Sequence, residues 1–234
     1  MGLLDFLRLS KPQTLLPQYP SNSQVAIQKG IVTWQGANAQ SYVQDGYQKN
    51  DIVYSIIKLI TDKAKLAPFH IYKEVDAVAA KRYKTLIAQP DKITNWKEVN
   101  DLHKKAFELY TGDARLNELI KYPNGEDTMA DLVEQSCGFK LITGNSFIYA
   151  KMIEGGANGG KPYELYALPA QYMAIIADVE VFPPVRVGYQ LFYGKLWSFT
   201  TKEIMHDKYF NPYWSVTGNE LYGQSPLKIG RAHV

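Results

Sequence analysis

Helical periodicity in the first half of the chain and two-residue alternation in the second predict an α+β fold, helices followed by a mainly antiparallel sheet region. Three observations carry this. Residues 50–66 place Val53, Ile56, Ile57, Ile60 and Ala64 at helical spacing. Residues 128–143 continue a helical pattern from a Thr128/Asp131 capping arrangement to Gly144. From Asn145 the period changes to two, and short β-branched and aromatic runs follow, separated by turn residues.

Residues 1–47 read as an extended, loosely ordered N-terminal arm. Pro12, Pro17 and Pro20 interrupt regular structure, and Gln, Ser and Asn fill the gaps. Leu3, Leu4, Phe6 and Leu7 suit at most one amphipathic turn. The helix over 50–66 is capped by Asn50 or Asp51 and stopped by Pro68, and Phe69 to Tyr72 suggests a short strand. Residues 76–121 are expected to be helix-rich, in one segment carrying Val78, Tyr83, Leu86 and Ile87, a second over 95–110 and a third over 113–121. Pro123-Asn124-Gly125 then turns the chain. Strands are expected at 147–152, 163–168, 173–179, 185–193, 196–199 and 204–209, with the glycines of 155–160 as a loose hairpin tip. Pro226 suits the first turn of a helix.

Composition bounds the function. The 234 residues are 46% hydrophobic and 21% charged, enough apolar material for a packed core. The formal net charge of +3, from 26 basic and 23 acidic side chains, is too small to imply a nucleic-acid grip by itself. A single cysteine, Cys137, excludes an intrachain disulfide and favours an intracellular compartment. The N-terminus lacks a basic region ahead of an apolar run, so it does not read as a secretory signal, and no run has the length of a membrane span.

Motifs for chemistry are absent from the pattern. His70, His103, His206 and His233 have no ligand-type partner at zinc-binding spacing, and no CxxC occurs, so no metal is expected. The 155–160 glycines lead into Pro162 and a strand rather than a helix N-terminus, which argues against a phosphate cradle and hence a nucleotide cofactor. No GxSxG elbow exists. Cys137 sits among apolar helix neighbours, one turn from Lys140. Glu203, His206 and Asp207 form a tempting trio, but on a strand the two carboxylates share one face and His206 points the other way. No catalytic, cofactor-binding or metal residue is assigned, and the chain does not read as an enzyme.

Several ordered segments resemble the portal proteins of tailed phages, in particular the HK97-like family. The helix and strand over 50–73, with its Leu66-Ala67-Pro68 passage, are similar to an early helix–strand unit of that family. Leu119-Ile120-Lys121-Tyr122-Pro123-Asn124 followed by Thr128 resembles the passage before its second helix. Leu141-Ile142-Thr143-Gly144-Asn145-Ser146-Phe147 resembles a helix end at which Gly-Asn turns the chain into a strand. Leu165-Tyr166-Ala167-Leu168-Pro169, Glu203-Ile204-Met205-His206 and Leu221-Tyr222-Gly223-Gln224-Ser225-Pro226-Leu227 complete the set. Residues 74–118 depart from it, being longer and more helical than in compact members. Gly144 and Gly223 are read as glycines with special backbone angles.

The resemblance implies a structural subunit of a homo-oligomeric, dodecameric ring at the portal vertex of the virion, assembled in the bacterial host cytoplasm. DNA passes through such a ring during genome packaging and ejection. The implied partners are the terminase large subunit, the major capsid protein, the tail adaptor and the viral DNA, with no membrane. Residues 48–228 correspond to the wing-like α+β domain of such a subunit. Residues 229–234 are expected to be a non-native tail, with native sequence ending near Lys228, because a chain stopping just past a helix-initiating proline fits a finished domain poorly. On that reading the channel-lining stem would begin where the chain stops, and these 234 residues alone would not close a working ring. The alternative is a standalone nucleic-acid-binding or capsid-accessory module using Lys195, Trp197, Lys202 and Lys208.

Overall fold

The fold of the computed structural model is α+β, and the structure describes residues 25–27, 30–34, 38–214 and 219–227. Strands β1 (Val25–Ile27) and β2 (Gly30–Trp34) come first. A short helix α1 (Asn38–Ser41) runs on as a π-helix over Tyr42–Gln48, which packs against α2 (Asp51–Ala64) and α6 (Met129–Thr143). The extended reading of 1–47 therefore gives way at Asn38 to helix, and β2 pairs with a strand far along the chain. Nothing local in the Gln- and Ser-rich sequence signals either. Residues 1–24 and the tail at 229–234 lie outside the described residues.

Asn50 caps α2, its side-chain oxygen accepting from the N–H groups of Ile52 and Val53. The side of α2 that is buried is centred on Ile57 and Thr61. Ile56 and Ile60, expected on that side, are largely exposed. Thr61 lies against Gly138 of α6, its methyl 4.0 Å from where a Cβ would stand there, an ordinary packing distance. Lys58 and Lys65 both pair with Glu134 of α6 and with Asp62 of α2, at 2.7–2.8 Å.

The chain then builds a small satellite. Strand β3 (Tyr72–Glu74) lies a little later than expected. Helices α3 (Ala77–Ile87) and α4 (Trp96–Ala106) pack together over Ala79, Ala80 and Ala106, with Leu102 and Phe107 against them. The helix expected over 95–110 ends at Ala106. Phe107–Leu109 is strand β4, antiparallel to β3. Pairing with a strand more than thirty residues earlier in the chain overrides a helical pattern that local periodicity extends through Leu109 and Tyr110. After α5 (Ala114–Lys121), α6 begins with a true capping box between Thr128 and Asp131.

Gly144 ends α6 with φ 82°, the left-handed conformation expected of it. Strands β5 (Asn145–Met152) and β6 (Pro162–Leu168) form a hairpin, and β10 (Ile204–Lys208) pairs with the other edge of β5. Strands β7 (Met173–Asp178), β8 (Val185–Tyr193) and β9 (Lys195–Phe199) join β1 and β2 in a five-stranded antiparallel sheet, order β1-β2-β7-β8-β9. The main core lies where the sheets and α6 meet: Phe147, Leu168, Met173, Ile175, Tyr189, Leu191 and Ile204 are buried together, with Phe139 of α6 against them. Among the described residues no helix is long and apolar enough to cross a membrane.

Candidate functional site: a polar clasp beside the core

The most constrained polar cluster joins the α6–β5 junction to the segment 221–225. The side chain of Asn145 has no solvent exposure. Its amide nitrogen donates to the carbonyls of Thr143 at 3.1 Å and Gly223 at 3.3 Å. Its oxygen accepts the Gly223 N–H at 2.6 Å and meets Nε2 of His206 at 3.0 Å. All four hydrogen-bonding positions of the amide are thereby used, as burial requires.

His206 is stacked on Phe147, ring centroids 4.3 Å apart and nearly parallel. Its Nδ1 lies 3.1 Å from a guanidinium nitrogen of Arg186. A guanidinium only donates, so Nδ1 accepts and the ring proton sits on Nε2, directed at Asn145. Burial first, then the Arg186 and Lys208 charges, pull the imidazole down to about 3, and it stays neutral. Strand alternation carried the separation of His206 from the two carboxylates, but not its burial or its partners, which lie on β8 and β5.

The segment 221–225 is held at further points. The Ser225 hydroxyl donates to the Ile142 carbonyl at 2.6 Å, and the Tyr222 hydroxyl accepts the Ile175 N–H at 2.7 Å. Gly144 and Gly223 are in direct backbone contact. A Cβ at Gly223 would lie 2.0 Å from the Gly144 carbonyl oxygen, and one at Gly144 would lie 2.5 Å from the Gln224 carbonyl carbon. Gly223 is not among the residues with positive φ, so the special angle expected of it is absent. Glycine is needed there because two backbones touch. Pro226 and Leu227 form a turn, and the helix expected to start at Pro226 falls mostly outside the described residues.

The other sequence candidates separate. Glu203 accepts from the Thr200 N–H and hydroxyl, Asp207 pairs with Lys140 at 2.7 Å, and His206 turns inward, so the trio goes to three different places. Cys137 is half-buried on α6. Among the described residues no group of three or more His, Cys, Asp or Glu side chains is placed to hold a metal ion. Lys195, the first residue of β9, lies 3.8 Å above the Trp197 ring, and Lys202 is exposed in the turn after that strand. Lys208 points elsewhere: its ammonium donates to the Glu220 carbonyl, and burial lowers its pKa. The four residues of a nucleic-acid module are thus not one surface. A cleft of about 400 Å3 lies between the β3–β4 ribbon and α5–α6, with Phe69, Ile71, Ile120 and Met129 in its walls and Lys65 and Lys121 at its rim.

Known proteins share this fold. A chain in the neck of a native GTA (gene transfer agent) particle, computed with C12 symmetry, superposes with TM-score 0.54 and 21% identity, over 86% of this chain and 42% of that one. A chain in the neck of an empty GTA particle, computed with C6 symmetry, gives 0.55 and 21%, over 84% and 42%. A chain in the virion of a native gene transfer agent particle gives 0.53 and 21%, over 84% and 41%. An uncharacterized protein of Rickettsia bellii (strain RML369-C) is 26% identical over 189 residues, which are 79% of this chain and 38% of that protein. No family model matches the chain. The chain spans less than half the length of each of these proteins, and at this identity the likeness is one of fold.

Proposed function

We propose that this chain is a structural, non-enzymatic ring subunit of a phage-like particle, at the portal vertex through which DNA is packaged and ejected. The observation that carries the reading is the likeness of 86% of the chain to a chain in a particle neck computed with twelvefold symmetry. A second observation agrees with it. The segments that resemble the portal family are the ones this fold ties together: Gly144-Asn145 against Gly223, and Ser225 against the end of α6. On this reading residues 48–228 are the wing-like domain of a dodecameric ring. Its neighbours are the major capsid protein around the ring, the terminase large subunit during DNA packaging, the tail adaptor afterwards, and the viral DNA in the channel. The clasp then ties the segment 221–225 to the end of α6 and the start of β5 within the wing.

Gold labelling of an epitope-tagged chain in purified particles tests this. Label at a single vertex, on the neck side, is the expected result. Label spread over all vertices, or particles that lack the chain, would overturn the reading.

A further inference from the structure

Two basic side chains of β10 lie beneath one segment of the clasp. His206 and Lys208 are two residues apart and so share a face of the strand. The Lys208 ammonium donates to the Glu220 carbonyl. Nε2 of His206 meets the Asn145 oxygen, which also accepts the Gly223 N–H. Residues 220–223 thus cap both groups. Arg186 of β8 stands on the far side of the imidazole, 3.1 Å from Nδ1, and the Phe147 and Tyr189 rings lie against it. Asp207 points to the other face of β10, where Lys140 of α6 holds it. Glu220 is the acidic residue of the segment, and its charge acts on Lys208. The Tyr222 hydroxyl accepts the Ile175 N–H. A proton on His206 would therefore sit beside two cations and would take away the Nδ1 lone pair that receives Arg186.

The ways of hydrating that charge differ in what they break. Strand β10 is laddered to β5 across five residue pairs, Ile204 to Lys208. Residues 220–225 form no strand. Each described hydrogen bond from them to the rest of the chain uses a side chain on one side: Lys208 to Glu220, Asn145 to Gly223, Asn211 to the Tyr222 carbonyl, Tyr222 to Ile175 and Ser225 to Ile142. Lifting this segment frees Asn145 to turn, lets water reach the imidazole, uncovers Lys208 and breaks no ladder. Local openings of this kind need less free energy than global unfolding. We propose that His206 is the catch of an acid-operated latch: proton uptake there lifts residues 220–225 from the α6–β5 junction while the sheets and α6 stay folded. The latch is independent of the ring reading above.

Closed, the segment keeps His206 neutral through burial and the Arg186 and Lys208 charges. Open, it lets the imidazole take its ordinary value near 6.5, so lowering the pH from 7 to 5 should raise the open population about 25-fold. Carboxylates titrate below this window. Hydrogen–deuterium exchange of the whole chain at pH 7, 6 and 5, corrected for the intrinsic rate, measures it. The amides of 220–225 should be less protected than those of β5 and β10 at every pH, and their protection should fall about 25-fold from pH 7 to 5. In His206→Gln they should still open first, with protection that does not change with pH. A segment as protected as β5 at every pH opens only with the whole fold and would overturn the proposal. So would a segment that opens first but with the same protection at pH 7 and 5. Both of these results come from the parent chain, so they decide the matter whether or not the variant folds. An equal fall in His206→Gln would assign the proton to another group and overturn it as well.

Discussion

At Asn145, one side chain joins three parts of the molecule, and the geometry around it sets two expectations. The first is steric. Gly223→Ala would drive a methyl group into the Gly144 carbonyl and the Tyr209 nitrogen, both backbone atoms with no flexible end to move. We expect a loss of about 3 kcal/mol, at the upper end of overpacking effects, read by urea denaturation. Gln224→Ala, next to it but half-buried, should cost far less. The second expectation concerns acid. His206 titrates at about 3 in the folded chain and near 6.5 when unfolded. Between those values the unfolded chain binds the proton and the folded chain does not, so stability falls as pH drops from about 6.5 toward 3, by up to about 5 kcal/mol over the whole window. Asp62, Asp76, Asp131 and Glu134, all lowered by their partners, act in the same direction only once pH reaches the carboxylate range near 4. Denaturation midpoints at pH 7 and pH 5 therefore isolate the histidine. The parent should lose stability between them, and His206→Gln, which keeps a polar group but cannot charge, should lose little. Equal losses in both proteins would contradict the neutral, buried assignment.

Helix α6 shows what a single element carries in its own sequence. Its start is held by the reciprocal Thr128–Asp131 box and its end by a left-handed glycine, both local devices written within four residues. Thr128→Ala removes the hydroxyl that bonds Asp131 and should cost about 1 kcal/mol, measured as a lower thermal midpoint; Thr128→Ser should restore most of it. Elements defined by distant partners are a different case. Phe107 continues the apolar spacing of α4, and only its pairing opposite Glu74 makes it a strand. Asn38–Ser41 has no cap or periodicity to announce a helix, and packs through tertiary contact. The same limit applies to α2. Its periodicity is visible, but which side faces inward is set by packing on α6, some seventy residues later, where Lys58 and Lys65 reach Glu134. For the clasp, Gly144, Asn145, Gly223 and Ser225 stood out as segments, whereas Arg186 and His206 became partners only through strand order.

Across the described residues, several basic side chains are held in ion pairs by neighbouring carboxylates. Lys58 and Lys65 pair with Asp62 and Glu134, Arg82 with Glu98, Lys84 with Glu74, Lys140 with Asp207 and Lys151 with Glu164. Lys208 is spent on a backbone carbonyl inside the clasp. This arrangement separates the ring reading from that of a nucleic-acid module, because affinity for DNA through phosphate contacts carries a salt signature. A surface engaging about six phosphates weakens with a log–log slope near −5, since each neutralised phosphate releases a counterion. With a net charge of only +3 and several of its lysines held in ion pairs, this chain should bind duplex or single-stranded DNA weakly, with a slope no steeper than about −2. Fluorescence anisotropy from 50 to 300 mM salt measures it. A steep slope that Lys195→Ala and Lys202→Ala both flatten would move the balance to a DNA-gripping module; a shallow one, unchanged by either substitution, is what a scaffold subunit shows when its surface is shaped to meet protein.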